Sequence, residues 1–264
     1  MPANLPALDQ AQIDAFVRDG FVRIDDAFPR ELADQGRAIL WAATGCNPDD
    51  PATWTRPVVW LGGFSQPPFR DAANTSVLHA AYDQLVGPGG WQKPGGLGTF
   101  PVRFPLAVDA GDTGWHVDMS FGTDAADFME WRANIASRGR ALLMLFLFSD
   151  VGEEDAPTRI RVGSHLDIAR QLAPAGEAGL TLRELAADGF AGTAHCPEVL
   201  ATGDAGTVYL CHPFLVHAAQ VHRGSRVKFM AQPPLLPARD FDITGALETL
   251  APVERAIRLA LDQG

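Results

Sequence analysis

Two residues near the middle of the chain, His116 and Asp118, have the chemistry and the spacing of metal ligands. They belong to residues 113–121, which read T-G-W-H-V-D-M-S-F. In a β-strand, residues i and i+2 point to the same face, so the imidazole and the carboxylate would project side by side. They are two of the three ligands of a 2-His-1-carboxylate triad, which holds non-haem Fe(II) and leaves positions open for a co-substrate and O₂.

The third ligand must come from another part of the chain. Residues 208–219 read V-Y-L-C-H-P-F-L-V-H-A-A and offer His212 and His217. The residue types alone do not choose between these two histidines. His79 and His195 have no candidate ligand of this kind beside them in the sequence.

The composition narrows the class of protein. The formal net charge of −11 argues against a nucleic-acid partner, because phosphate binding requires basic surfaces. Three cysteines without a C-x-x-C pair predict neither a disulfide framework nor a zinc ribbon. The longest apolar run, residues 141–148, is too short to cross a membrane. With no apolar signal core at the start, we expect a cytoplasmic protein.

The hydrophobic periodicity predicts helices followed by a β-rich region. A chain of 264 residues can bury a large core without a structural metal, so any metal is expected to be catalytic. No linker or repeat divides the chain, and we predict a single domain over residues 1–264. Helices are predicted over 8–19, 29–44 and 75–86, from Gly163, from Thr181 with Glu184 as a capping box, and over 243–262. Strands are predicted over 98–104, 114–121, 140–149, 158–162, 194–199, 206–212, 215–220 and 226–232.

Four segments resemble the phytanoyl-CoA dioxygenase-like family of Fe(II)- and 2-oxoglutarate-dependent oxygenases. They read W-H-V-D, D-A-P-T-R-I-R-V-G-S-H, V-H-A-A and R-V-K-F-M-A-Q-P-P. The second segment departs at Asp155, Ala156 and Val162 from the family's N-G-P-T-R-V-x-P-G-S-H. The resemblance implies a mainly β fold with flanking helices, the double-stranded β-helix (a jelly-roll, cupin-like fold). It also implies Fe(II), 2-oxoglutarate as co-substrate, and O₂.

Carried onto this sequence, the resemblance assigns the iron ligands as His116, Asp118 and His217. The two alanines after His217 match the family and favour it over His212. The family anchors 2-oxoglutarate through a basic residue, generally Arg, about eleven positions after the distal histidine. Lys228 stands there instead, and Arg226, two residues earlier, would share its strand face.

Substrate contacts are predicted from basic and aromatic residues near these motifs. Arg103 lies on the strand before the metal motif, and Arg161 lies on the strand before G-S-H, where it alternates with Arg159. Trp131 and Phe128 belong to the long connection after the metal motif, and such connections often form lids.

The resulting functional hypothesis is an Fe(II)- and 2-oxoglutarate-dependent dioxygenase. It would hydroxylate an unactivated carbon of a small molecule and release succinate and CO₂. In related halogenating enzymes the metal-binding carboxylate is lost, so Asp118 favours hydroxylation. The alternative is a metal-binding cupin-like isomerase, or a ligand-binding module, that does not use 2-oxoglutarate.

Overall fold

The computed structural model describes residues 7–262 of the chain. The α-helices in this part are α1 (Gln10–Asp19), α2 (Arg30–Thr44), α3 (Pro67–Ala73), α4 (Ser76–Val86), α5 (Ser164–Leu172), α6 (Leu182–Leu185) and α7 (Pro252–Asp262). The strands are β1 (Phe21–Ile24), β2 (Val58–Leu61), β3 (Phe100–Arg103), β4 (Arg132–Ala133), β5 (Leu142–Leu147), β6 (Thr158–Arg161), β7 (Leu180–Thr181), β8 (Glu198–Ala201), β9 (Val208–Cys211), β10 (His217–Ala218), β11 (Met230–Ala231) and β12 (Pro234–Leu235).

Two helices begin at capping boxes that the sequence specifies. At α1 the Asp9 carboxylate accepts from the Gln12 backbone N–H at 2.8 Å, and the Gln12 side chain accepts from the Asp9 N–H at 2.9 Å. Thr181 and Glu184 make the same reciprocal pair at α6, as predicted. Gly20 ends α1 with φ 88°, a left-handed conformation that glycine adopts without a Cβ clash.

All strand pairs are antiparallel. The largest sheet has the order β1–β9–β5–β11, and β12 also pairs with β5. A second sheet has the order β10–β6–β8, and two ribbons pair β2 with β3 and β4 with β7. The described residues therefore form a mixture of helices and antiparallel sheets rather than the mainly β class that was predicted.

Strand β5 joins the two sides of the core. Its six residues are all buried, so the strand is apolar throughout rather than alternating. Met144 and Phe146 face the cluster that includes the helical residues, whereas Leu143, Leu145 and Leu147 pack in a cluster with residues of β6 and β8. Successive residues of a strand point to opposite faces, so β5 has the helices on one side and the second sheet on the other.

The helices cover the outer face of the larger sheet. Helix α7 packs against α1, α4 and α5, and α2 packs against α3. No helix within residues 7–262 is both long enough and apolar enough to cross a membrane.

Several predicted elements differ from the structure, among them the strand predicted over 194–199, which is observed at Glu198–Ala201. Residues 114–121 do not form a continuous strand; His116 and Phe121 make isolated bridges to other segments. The C-terminal helix begins at Pro252 rather than near 243. The predicted strand over 226–232 is reduced to a bridge at Lys228 and the short β11, and Arg226 lies in a bend before them.

Candidate functional site

The backbone brings His116 and His217 together. The N–H of each residue donates to the carbonyl of the other, and both distances are 3.0 Å. The two imidazole rings lie 4.4 Å apart between centroids. Because β10 carries His217 and pairs with β6, this bridge attaches the 113–121 segment to the second sheet.

Both imidazoles are oriented by their own preceding backbone. The Nδ1 atom of His116 lies 3.0 Å from the Gly114 carbonyl, and that of His217 lies 3.0 Å from the Leu215 carbonyl. A carbonyl oxygen can only accept, so Nδ1 carries the proton in each ring and the Nε2 lone pair is free. Metal-binding histidines characteristically have their second nitrogen held in this way.

Asp118 completes the set, with its two carboxylate oxygens pointing to different partners. Oδ1 lies 3.9 Å from His217 Nε2, and Oδ2 lies 3.2 Å from Nη1 of Arg140. One donor atom from each of His116, Asp118 and His217 lies within 4.8 Å of the others. The structure therefore brings together the three ligands that the sequence predicted.

The charge states of His217 and Asp118 suit a divalent metal. Burial, together with the neighbouring His116, lowers the pKa of His217 to about 4, so its imidazole is neutral near pH 7. Burial would raise the pKa of Asp118, but the nearby charges of Arg140 and the two histidines outweigh burial and lower it. Two imidazoles and one carboxylate are the donor set that non-haem Fe(II) takes, so these residues fit the iron that the resemblance implies.

The three donors open into a cavity of about 650 Å³. Arg103, Arg140 and Lys228 contribute cationic groups to its wall. Much of the remaining wall is aromatic or sulfur-containing: Trp60, Trp115, Met119, Phe128, Met129 and Trp131. A cavity of this size with a few converging polar groups is suited to a small organic ligand.

Lys228 and Arg103 form a pair of buried cations in that wall. Their backbones bridge each other, with N–H to carbonyl distances of 2.9 and 3.0 Å. Lys228 donates from Nζ to the Ala156 carbonyl, and Arg103 donates to Asp112 at 2.5 Å. Burial, and then the charge of Arg103, lower the pKa of Lys228 to about 7. Lys228 therefore loses its charge near neutral pH rather than in the alkaline range of an ordinary lysine.

Arg226 does not share this environment. Its side chain is 59% exposed and pairs with the buried carboxylate of Asp155 at 2.6 Å, and it is not part of the cavity wall. The prediction that Arg226 and Lys228 share a strand face is wrong, because Arg226 lies in the bend before the bridge at Lys228. Of the two predicted anchors, the structure places only Lys228 at the cavity.

Arg161 also lies outside the cavity wall, where it packs against Trp115 of the 113–121 segment. Its guanidinium lies 4.1 Å from the centre of the Trp115 ring and donates to the Phe190 carbonyl and the Thr193 hydroxyl, both at 2.8 Å. Arg159 contacts the same indole at 4.5 Å. Both arginines therefore hold the residue that precedes His116, which differs from the substrate contact predicted for Arg161.

Trp131 and Phe128 do reach the cavity, as their place in the long connection suggested. Trp131 donates from Nε1 to the Ala125 carbonyl at 2.9 Å, and its ring meets Phe128 edge-on at 5.0 Å. Arg183 of α6 pairs with Asp127 and Glu130 at 2.7 and 2.9 Å, which fastens the connection to that helix.

The other histidine that competed for the role of third ligand is part of the core. His212 is fully buried, its Nε2 lies 3.1 Å from the Val253 carbonyl, and its ring packs 4.9 Å from that of His165. His165 contacts the Val17 carbonyl at 3.1 Å. This histidine pair connects α1, α5 and α7 and takes no part in the metal cluster.

Arg140 is the one cation of the cavity that the sequence did not single out. Within the described chain, its Nε and Nη1 are buried without a hydrogen-bond partner, although Nη1 lies near Asp118. A weak signal was present, because Arg140 directly precedes the apolar run at 141–148. Its orientation depends on the turn at Ser137, whose hydroxyl donates to the Arg140 carbonyl at 2.6 Å.

No protein-family model and no curated protein matches the chain. Several solved structures share its fold. The fold matches that of Gig2 from Candida albicans at a TM-score of 0.61 and 14% identity, over 87% of this chain and 64% of that one, so this chain spans less than two thirds of Gig2.

Two further structures match over most of both chains. HygX from Streptomyces hygroscopicus, solved with nickel, 2-oxoglutarate and hygromycin B, has a TM-score of 0.54 and 18% identity, over 85% of this chain and 86% of its own. SnoK, a non-haem α-ketoglutarate-dependent carbocyclase from nogalamycin biosynthesis, has a TM-score of 0.54 and 16% identity, over 86% and 84%. At these identities the matches establish a common fold.

Proposed function

We propose that this protein is an Fe(II)- and 2-oxoglutarate-dependent dioxygenase that hydroxylates a carbon of a small molecule. The observation that carries the proposal is the convergence of His116, Asp118 and His217 beside a cavity whose wall contains the buried cation of Lys228. The fold shared with HygX, which was solved with nickel and 2-oxoglutarate, supports it. In fold terms, we propose that the larger sheet, which contains β5, and the second sheet that packs against it are the two sheets of a double-stranded β-helix in a single domain.

The iron would be held by the Nε2 atoms of the two histidines and by Oδ1 of Asp118. When bound together with 2-oxoglutarate and O₂, it supplies the oxidising chemistry that converts the co-substrate to succinate and CO₂ and hydroxylates the substrate. The carbonyls of Gly114 and Leu215 fix the proton on Nδ1 of each imidazole, which leaves Nε2 of each ring to bind the metal. Arg140 holds Oδ2, which directs a single oxygen of Asp118 towards the metal.

Lys228 is the proposed partner of the distal carboxylate of 2-oxoglutarate. It is buried at the cavity wall, and a charge-assisted hydrogen bond there contributes about 1.5–3 kcal/mol. Arg103 is paired with Asp112 and bridged to Lys228, so we assign it to the co-substrate side of the cavity rather than to the substrate. Trp131 and Phe128 are the proposed substrate contacts, because they present aromatic faces to the cavity from a connection fastened by α6.

Succinate formation tests this proposal. The purified protein, supplied with Fe(II), 2-oxoglutarate and O₂, should form succinate slowly by itself and faster with a substrate found in a metabolite mixture. His116→Ala, Asp118→Ala and His217→Ala should each abolish this activity and leave the melting temperature of the metal-free protein within a few degrees.

His79→Ala is the matched control, because His79 contacts Asn74 and Trp91 away from the triad. Metal binding by the intact triad without 2-oxoglutarate binding or succinate would instead favour the cupin-like isomerase or the ligand-binding module. Full activity in His217→Ala would refute the ligand assignment.

A further inference from the structure

A second set of metal-binding donors converges away from the cavity. Asp167 lies in the first turn of α5, and His195 and Cys196 lie in the turn that leads into β8. The donor atoms of these three residues, from two separate segments of the chain, lie within 4.8 Å of one another. No step of the proposed dioxygenase reaction uses them.

The distances within this group are close to those around a tetrahedral cation, with the two sulfur distances slightly longer. Cys196 Sγ lies 3.7 Å from Asp167 Oδ2 and 3.7 Å from His195 Nε2, and the last two atoms are 3.5 Å apart. Zinc bonds of ~2.0–2.3 Å at the tetrahedral angle place such donors about 3.3–3.6 Å apart. The nitrogen–oxygen separation is longer than the ~2.7–3.2 Å of an ordinary hydrogen bond.

Neighbouring groups orient the two residues that have a second polar atom. His195 Nδ1 lies 3.1 Å from the Gly192 carbonyl, which fixes the proton on Nδ1 and frees Nε2 to face the cysteine. Arg170 Nη1 donates to Asp167 Oδ1 at 2.9 Å, so Oδ2 is the oxygen that faces the group. This support of the non-ligating atoms is what surrounds metal-binding His and Asp residues generally.

We propose that Asp167, His195 and Cys196 form a second metal site for a Zn²⁺-type cation. Sulfur, imidazole and carboxylate together favour a borderline-soft divalent ion over Mg²⁺ or Ca²⁺, which prefer oxygen alone. The three residues border a surface depression of about 280 Å³, through which a water molecule or a solute reaches the fourth tetrahedral position. A bound ion would cross-link α5 to the start of β8.

Cobalt substitution tests this site separately from the triad. A full-length His116→Ala/His217→Ala variant lacks two of the three proposed iron ligands and keeps only Asp118 there, so any remaining high-affinity site must lie elsewhere. Titration with Co²⁺ should saturate at one equivalent and produce a thiolate-to-cobalt charge-transfer band together with the visible bands of tetrahedral cobalt. Zn²⁺ should displace the cobalt and raise the melting temperature.

Single substitutions in that background identify the ligands. Cys196→Ser should abolish the charge-transfer band. Cys46→Ser should retain it, because the Cys46 thiol donates to the carbonyls of Thr44 and Thr53. His195→Ala should weaken Co²⁺ binding at least about tenfold, since even outer-shell partners are worth ~10–100-fold. The His195 side chain is 68% exposed, so this substitution does not threaten folding.

The proposal is overturned if the triad-deficient variant shows no charge-transfer band. It is equally overturned if the band survives Cys196→Ser or disappears in Cys46→Ser. Any of these results would leave Asp167, His195 and Cys196 as a hydrogen-bonded group that holds α5 against the turn before β8.

Discussion

The unusual state of Lys228 predicts how 2-oxoglutarate affinity depends on pH. The ordinary pKa of a lysine is about 10.4. Burial, followed by the charge of Arg103, lowers the pKa of Lys228 to about 7, while Asp112 and Asp155 offset part of that effect.

The sign and the size follow from proton linkage. The distal carboxylate of 2-oxoglutarate binds the ammonium form, and a bound carboxylate restores the pKa of the lysine towards its ordinary value. Above pH 7, therefore, binding must first recover a proton, and the dissociation constant rises about tenfold per pH unit. Between pH 7 and pH 9 the predicted loss of affinity is about fiftyfold, because Lys228 is half charged at the start and about 1% charged at the end.

Isothermal titration of anaerobic Mn²⁺-loaded protein with 2-oxoglutarate, from pH 6.5 to pH 9, measures this dependence. Lys228→Arg should remove most of it, because an arginine stays charged throughout the range. Lys228→Met should bind 2-oxoglutarate about ten- to a hundredfold more weakly at pH 7. It loses a charge-assisted hydrogen bond of about 1.5–3 kcal/mol, and each ~1.4 kcal/mol changes the affinity tenfold.

Two comparisons separate Lys228 from other causes of pH dependence. Pyruvate chelates a metal through the same 2-oxo acid group but has no distal carboxylate, so its affinity should not respond to substitution of Lys228. Arg226→Met should leave 2-oxoglutarate affinity within about twofold, because Arg226 pairs with Asp155 outside the cavity wall. A flat wild-type profile between pH 7 and pH 9, or an equal slope in Lys228→Arg, would refute the assignment of Lys228.

Three further predictions concern groups around the site. Arg140 and the metal both compensate the charge of Asp118. Arg140→Met should therefore destabilise the metal-free protein by about 1–3 kcal/mol and enlarge the increase in melting temperature that Mn²⁺ causes. The control Arg138→Met, at an exposed residue, should do neither. Burial lowers the pKa of His165 to about 4. The stability that its neutral ring contributes to the folded protein is therefore complete above pH 6.5 and is lost as the pH falls to 4. In denaturant unfolding over that interval, the free energy of unfolding of the wild type should fall by roughly 3 kcal/mol more than that of His165→Gln. Arg161→Met should lower stability by about 1–3 kcal/mol and leave the 2-oxoglutarate affinity unchanged, and a large loss of affinity would restore Arg161 to the binding site.

The sequence predicts the helices best where their signals are local. The capping box predicted at Thr181 and Glu184 marks the start of α6, and the structure confirms it. Asp9 supplies an equally local signal at the start of α1, where its carboxylate caps the helix. Helix α3 was missed because it begins with two prolines after Gln66 and is only seven residues long, too short to show a clear apolar period.

The position of a site residue was predictable where a short sequence motif contained it. It was not predictable where the only signal was the alternation of side chains along an assumed strand. His116, Asp118 and His217 belong to recognisable segments, and they converge. The pairing of Arg226 with Lys228 assumed a regular strand, and a bend at that point sends Arg226 to Asp155 instead. Which way a buried arginine points depends on partners distant in sequence, and the alternation pattern carries no information about those partners.

The backbone carbonyls that orient the two metal-binding imidazoles have a consequence for sequence divergence. Gly114 and Leu215 act through main-chain oxygen, an atom that every amino acid supplies. A Cβ at Gly114 would meet nothing within 4 Å, so even this glycine can be exchanged without crowding. Relatives can therefore vary Gly114 and keep the ligand geometry, whereas the buried packing of Leu215 restricts that position for reasons unrelated to the metal. An alignment of side chains consequently does not reveal that these two residues orient the ligands. Their role must instead be sought as a conserved backbone conformation.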